Sequence, residues 1–92
     1  MARKKLIISD VKEIEKKGIV LTVHNLEGFN DDFDFKTLID KEVFIETESD
    51  VFLTKVINVQ INKSLVDKKN IFFLIQKIKD FDPKIGYLIS LK

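Results

Sequence analysis

His24 is the one histidine in the chain and the one side chain whose ordinary titration falls near neutral pH. A general base at that position needs a nucleophile or a polarised water beside it. No serine motif surrounds it, and the chain holds no cysteine, which removes a thiol nucleophile, a thiolate zinc site and a disulfide framework together. The expected role of His24 is an exposed or hydrogen-bonded residue at a strand end. Glu27, Asp31, Asp32 and Asp34 gather oxygen ligands in one loop. Their spacing lacks the periodicity and the bidentate acid of a calcium loop, so a solvated acidic loop is expected. Gly18, Gly28 and Gly86 are too scattered to crowd backbone amides around a phosphate. The residues therefore predict no catalytic site, no cofactor, no metal and no unaided GTP hydrolysis: a binding module, not an enzyme.

Two features point to binding. Phe29, Phe33 and Phe35 interleave with the acidic loop, and those not packed inward would form an aromatic-acidic patch suited to a protein partner. Core packing is expected for at least two of them. Basic residues gather at Arg3-Lys4-Lys5, Lys16-Lys17, Lys63 with Lys68-Lys69, and Lys77 with Lys79. Sixteen bases against fifteen acids leave a net charge of only +1, so any phosphate-tracking surface must come from turns converging on one end of the fold. All the bases except Arg3 are lysines, which hold phosphate as point charges without the guanidinium fork. Solvated turn lysines are the plainer expectation, and RNA contact the sharper one.

The elements that must position these residues read mainly as strands, because the apolar residues alternate with period two. Leu6–Ile8 opens a strand running toward Val11 and Ile14, and Ile19–Val23 is its β-branched neighbour across Lys16-Lys17-Gly18. Glycine suits the turn, since positive φ costs it nothing. A second reading of Asp10–Lys17 is a helix of roughly two turns, with Asp10 and Glu13 as a capping box. Residues 27–35 read as a loop. Glu42–Thr47 is a strand, Glu48-Ser49-Asp50 its turn, and Val51–Asn62 a long alternating strand. Its pattern aims Ile57, Val59 and Ile61 one way and Asn58, Gln60 and Asn62 the other. Ile71–Ile75 is apolar at every position and is expected to be the most buried strand. Asp82-Pro83 and Gly86 precede a last strand, Tyr87–Leu91. Six or seven short strands without long helices predict an all-β, closed or nearly closed barrel, a form that leaves no sheet edge exposed.

In its motifs the chain resembles the second domain of translational GTPases, the β-barrel that follows the nucleotide domain in elongation factor Tu. Ile8-Ser9-Asp10-Val11, Ile14 and Gly18-Ile19-Val20-Leu21-Thr22 are similar to the opening I-x-D-V-x-x-I-x-x-x-G-x-V-x-T of that family. Leu38–Ile45 resembles its third-strand step, and Ile71–Ile75, Ile78-Lys79, Gly86 and Leu88-Ile89 its closing segment. The likeness extends from about Leu6 to Ser90 and rests mostly on core residues and turn glycines. Val23 and His24 stand where the family has glycine and often arginine, Asp40 replaces a glycine, and Lys69-Asn70 replaces the glycines before the buried strand. The resemblance implies a barrel standing alone without its GTPase domain. It also implies contact with tRNA or a ribosomal surface, with Gln60 near the position of an acidic pocket residue.

At 92 residues the chain has room for one core, so a single barrel over 1–92 is expected, with residues 1–5 a flexible basic terminus. Leu6-Ile7-Ile8 is too short for a signal-peptide core, and no apolar run approaches the roughly 20 residues that span a bilayer. A cytoplasmic location without membrane contact is expected. The leading functional expectation is a binding module for a protein partner through Phe29 and Phe33. The alternative is an RNA- or ribosome-associated module acting through Lys16, Lys17 and Gln60.

Overall fold

The computed structural model describes residues 4–29, 33–63 and 69–91. Within them the chain is all-β: β1 (Lys5–Ile14), β2 (Gly18–Glu27), β3 (Glu42–Glu46), β4 (Val51–Lys63), β5 (Lys69–Ile75) and β6 (Leu88–Leu91). All neighbours are antiparallel, and the order β1-β2-β5-β4-β3-β6 closes on itself as a ring. One short element, a single 3-10 turn over Phe35–Leu38, lies outside the period-two pattern.

The helical reading of Asp10–Lys17 is not adopted. β1 continues to Ile14 and pairs with β2 down to Ile14–Gly18, absorbing a bulge between Ile8 and Asp10. Strand pairing satisfies the backbone of this segment on a sheet whose inner face is already apolar, whereas an isolated helix of two turns is marginal. The turn works through two positive dihedrals, Lys16 at φ +67° and Gly18 at φ +136°.

β4 is the strand that bends the sheet. Its first half pairs with β3 and its second with β5, and a bulge falls between Val56 and Asn58. The extra residue changes the phase of the side chains. Thr54 and Val56 face the core before the bulge and Val59 after it, while Ile57 is turned out and 40% exposed. The expected common face of Ile57, Val59 and Ile61 is corrected at that first position. β5 is also corrected: Ile71, Phe73 and Ile75 are buried, but Phe72 and Leu74 are only half-buried on the outer surface.

The interior of the described residues is apolar apart from Thr54, whose hydroxyl donates to the Gln76 carbonyl at 2.9 Å, and Leu6, Ile8, Leu21, Val23, Val43, Ile45, Val56, Phe73, Ile75 and Ile89 are almost fully excluded from water. Each such side chain stabilises the fold by ~1.5–3 kcal/mol relative to exposure. Aromatic rings close the two ends. Phe29, Phe33 and Phe35 pack mutually at 4.9–5.1 Å, with Phe35 reaching Phe73 at 6.3 Å. At the other end, where β4 begins and β6 begins, Phe81 stacks on Phe52 at 3.9 Å and on Tyr87 at 6.1 Å. Backbone bonds from Ile8 N to Tyr87 O and from Gly86 N to Ile8 O extend the β1–β6 seam.

Candidate functional site

Alternation along paired strands fixes which residues share the outside of the ring. Val20 of β2 stands opposite Leu74 of β5, which stands opposite Asn58 of β4. The next row runs Thr22, Phe72 and Gln60. The partners of these rows on β1 are Lys12 and Asp10. An apolar stripe of Val20, Phe72 and Leu74 thus crosses the outer sheet, bordered by amides on β4 and by charges on β1. Ile14, Lys17, Val20, Asn58, Gln60, Phe72 and Leu74 line a shallow concavity of about 240 Å³ there.

This surface joins two residues singled out by sequence, Lys17 and Gln60, across 43 positions of chain. They meet because β5 lies between β2 and β4 in the ring. Lys16 lines an adjoining hollow of about 470 Å³ together with Lys17, Glu13, Glu15, Gln76 and Lys77. Lys77 Nζ donates to Glu13 Oε1 at 2.8 Å across that hollow. The hydrogen bond and charge of Glu13 hold the Lys77 ammonium above its ordinary value of 10.5.

The other expected site residues are placed differently. Phe29 is 7% exposed and Phe35 2%, so both belong to the core. Phe33 is half-buried against them. Phe29 is therefore corrected as a contact residue, because the loop folds its ring under the barrel end. Lys4 Nζ covers what remains of the cluster, 5.1 Å from the Phe33 ring centroid and 5.9 Å from that of Phe29. Asp34 is a cap: its Oδ1 accepts from Lys36 N at 3.1 Å, and its carbonyl accepts from Thr37. Asp31, Asp32, Arg3 and Lys68 lie outside the described residues. His24 is exposed on β2, opposite Ile7. Among the described residues the basic groups do not all converge on one end, although Lys16, Lys17 and Lys77 share one hollow. Lys5 lies near the end where Lys63 pairs with Lys69, while Lys16 and Lys17 occupy the β1–β2 turn at the opposite end.

A second concavity, about 410 Å³, is lined by Lys5, Glu46, Glu48, Ile85 and Tyr87 among others. Glu46 Oε2 is 3.2 Å from Lys5 Nζ, yet that oxygen is shielded from solvent and has no aligned hydrogen-bond donor among the described residues. The contact is an ion pair by proximity, without the directional bond that would fully offset desolvation. Among the described residues no group of three or more histidine, cysteine, aspartate or glutamate side chains is placed to hold a metal ion. No helix among them is long and apolar enough to cross a membrane.

Sequence reasoning missed Val20, Phe72 and Leu74 as surface residues, while Asn58 lies on the outer face with Gln60 as its alternation predicts. The signal was present as an apolar run on both faces of β5, which a fully covered strand explains as readily as an exterior apolar stripe. A scan against protein-family models, a search of curated proteins and a search of solved structures each find no match.

Proposed function

We propose that this chain is a non-enzymatic binding module of the cytoplasm that takes a protein partner on the outer face of β2, β5 and β4. One observation carries the reading: Val20, Phe72 and Leu74 form an apolar stripe outside the barrel rather than inside it, hollowed between Lys17 and Gln60. Interfaces centre on such partly exposed aromatic and aliphatic groups, rimmed by polar side chains that fix orientation. Asn58 and Gln60 supply amides that both donate and accept, which suits the backbone of an extended or looped peptide.

A second reading rests on the same place. Lys16 and Lys17 stand at the margin of a surface bearing a half-buried aromatic ring and two amides. That combination also suits RNA, with lysines on phosphates and Phe72 under a base. It is the reading that follows from the resemblance to the second domain of translational GTPases, which we retain as a proposal.

Affinity capture on the immobilised chain, with and without nuclease, separates them. A protein retained after nuclease treatment and lost with Phe72→Lys supports the first reading. Salt-sensitive retention of RNA or ribosomes, lost with Lys16→Glu plus Lys17→Glu, supports the second and rejects the first. Retention unchanged by all three substitutions rejects this surface altogether. Circular dichroism on each variant confirms that the fold is kept.

A further inference from the structure

β6 is the shortest of the described strands and the most lightly held. Of its four residues only Ile89 is buried, while Leu88, Ser90 and Leu91 are half-buried. It pairs with Lys5–Ile7 of β1 and with Val43–Glu46 of β3, whereas β1 pairs with β2 from Lys5 to Ile14. Residues 76–87, which lead into it, form no strand, and their backbone bonds, such as Gln76 N to Lys55 O and Phe81 N to Ile78 O, are isolated ones. Asp80 turns that segment at φ +61°, a left-handed dihedral that a straightened segment gives up.

β6 also comes last in order among the described strands, so its departure draws no other strand with it. The order β1-β2-β5-β4-β3 then survives with its remaining pairings intact. What β6 leaves is a slot between β1 and β3, walled by the inward side chains Leu6, Ile8, Val43 and Ile45. The structure shows what fits that slot: an extended Leu88-Ile89-Ser90-Leu91 with Ile89 inward and a strand on either side. A second copy of the chain carries the same four residues. The linking segment of twelve residues, 76–87, extends to about 40 Å, against a longest dimension of 37 Å for the molecule. The strand of one copy therefore reaches the slot of another. Contacts inside the slot are the same whichever chain supplies the strand. Only the linker separates the two states, and it favours closure within one chain up to an effective concentration of about 1 mM.

We propose that β6 is an exchangeable strand: it opens from its own ring as a unit, and at high chain concentration two copies trade it reciprocally to form a closed dimer.

The chain lacks cysteine, so Phe44→Cys with Ser90→Cys introduces a single cross-strand pair. These two half-buried residues stand directly opposite each other on β3 and β6, at a separation that a disulfide spans. A thermal melt of the reduced variant verifies folding. Oxidised while dilute, the variant should give a crosslinked monomer. Held reduced at about 1 mM in urea below the unfolding transition, then diluted out of urea and oxidised, it should give a covalent dimer on a non-reducing gel. A dimer in gel filtration whose chains separate on that gel has associated without exchange and overturns the proposal. A monomer at every concentration, or a ladder of higher oligomers, overturns it equally. Hydrogen exchange on the unsubstituted chain supplies an independent measurement. Amides joining β6 to β1 and β3 should exchange through an opening at least about tenfold more frequent than global unfolding, and those between β2 and β5 only with global unfolding. Equal protection around the ring would overturn the opening step and the proposal with it.

Discussion

Replacing Gly18 by alanine should destabilise the protein by more than its single methyl suggests. Gly18 opens β2 at φ +136°, a dihedral that an L side chain rarely adopts. Holding a non-glycine residue in such a region costs ~1–3 kcal/mol. A Cβ at this position would also overlap the carbonyl oxygen of Ile75, a backbone atom of β5 that cannot swing aside as a side-chain tip would. Relief requires β2 to move off β5 near the Ile19–Ile75 pair, weakening a ladder bond worth ~0.5–1.5 kcal/mol. Alanine restricts the unfolded chain and returns ~0.4–1 kcal/mol. The net loss is about 2–3 kcal/mol, which for a domain of this size lowers Tm by about 10–20 °C. Gly86→Ala is the control: its φ is +96°, but nothing lies within 4 Å of the added carbon. It should show the dihedral cost alone. Thermal and urea unfolding of both variants measure the difference. If Gly18→Ala were no more destabilising than Gly86→Ala, the turn would not sit against Ile75, and the approach of Lys17 to Gln60 would lose its support.

Ile57→Lys should change stability by no more than about 0.5 kcal/mol in urea melts, whereas Val59→Lys should prevent folding, because the bulge turns one outward and the other inward. Phe73→Ala removes a fully buried ring from the middle of β5 and should cost ~3–5 kcal/mol by the same assay. Lys5→Met should cost ~1–3 kcal/mol by leaving the shielded Glu46 carboxylate without its cation, and adding Glu46→Leu should recover most of that loss. The Lys77–Glu13 pair raises the lysine pKa on folding, so its stabilisation is fully present below pH 10.5 and fades as pH rises through the raised value. The Tm difference between wild type and Lys77→Met should accordingly shrink at strongly alkaline pH.

The fold was legible wherever one strand face met water and the other met the core. β1, β2, β3 and β6 follow the alternation to within a residue or two. The bulge in β4 was hidden because Val56 and Ile57 are both β-branched and apolar, so either could take the inward position. The apolar run of β5 misled in a related way, since hydrophobicity says that a side chain prefers cover but not that it receives any. The 3-10 turn went unread because Asp34 caps it within a loop whose acids suggested other chemistry. The union of Lys17 with Gln60 depends on strand order, which pairs β2 with β5 across a long interval of chain. No local pattern encodes such a partnership. Lys17 and Gln60 were singled out one by one from the sequence, and their common surface emerged only from the ring.

That ring is completed by β6, four residues that pair with β1 on one side and β3 on the other. As the chain is synthesised, β1 emerges first and β6 last among the described strands, with Lys5 waiting for Ser90. Throughout that interval the outward hydrogen-bonding groups of β1 and β3 are two open strand edges, backed by some of the most apolar sequence in the chain. A product cut short before Leu88 would keep both edges permanently, a template for pairing with other chains. Loss of a few residues from β6 should therefore convert the closed ring into an aggregating sheet.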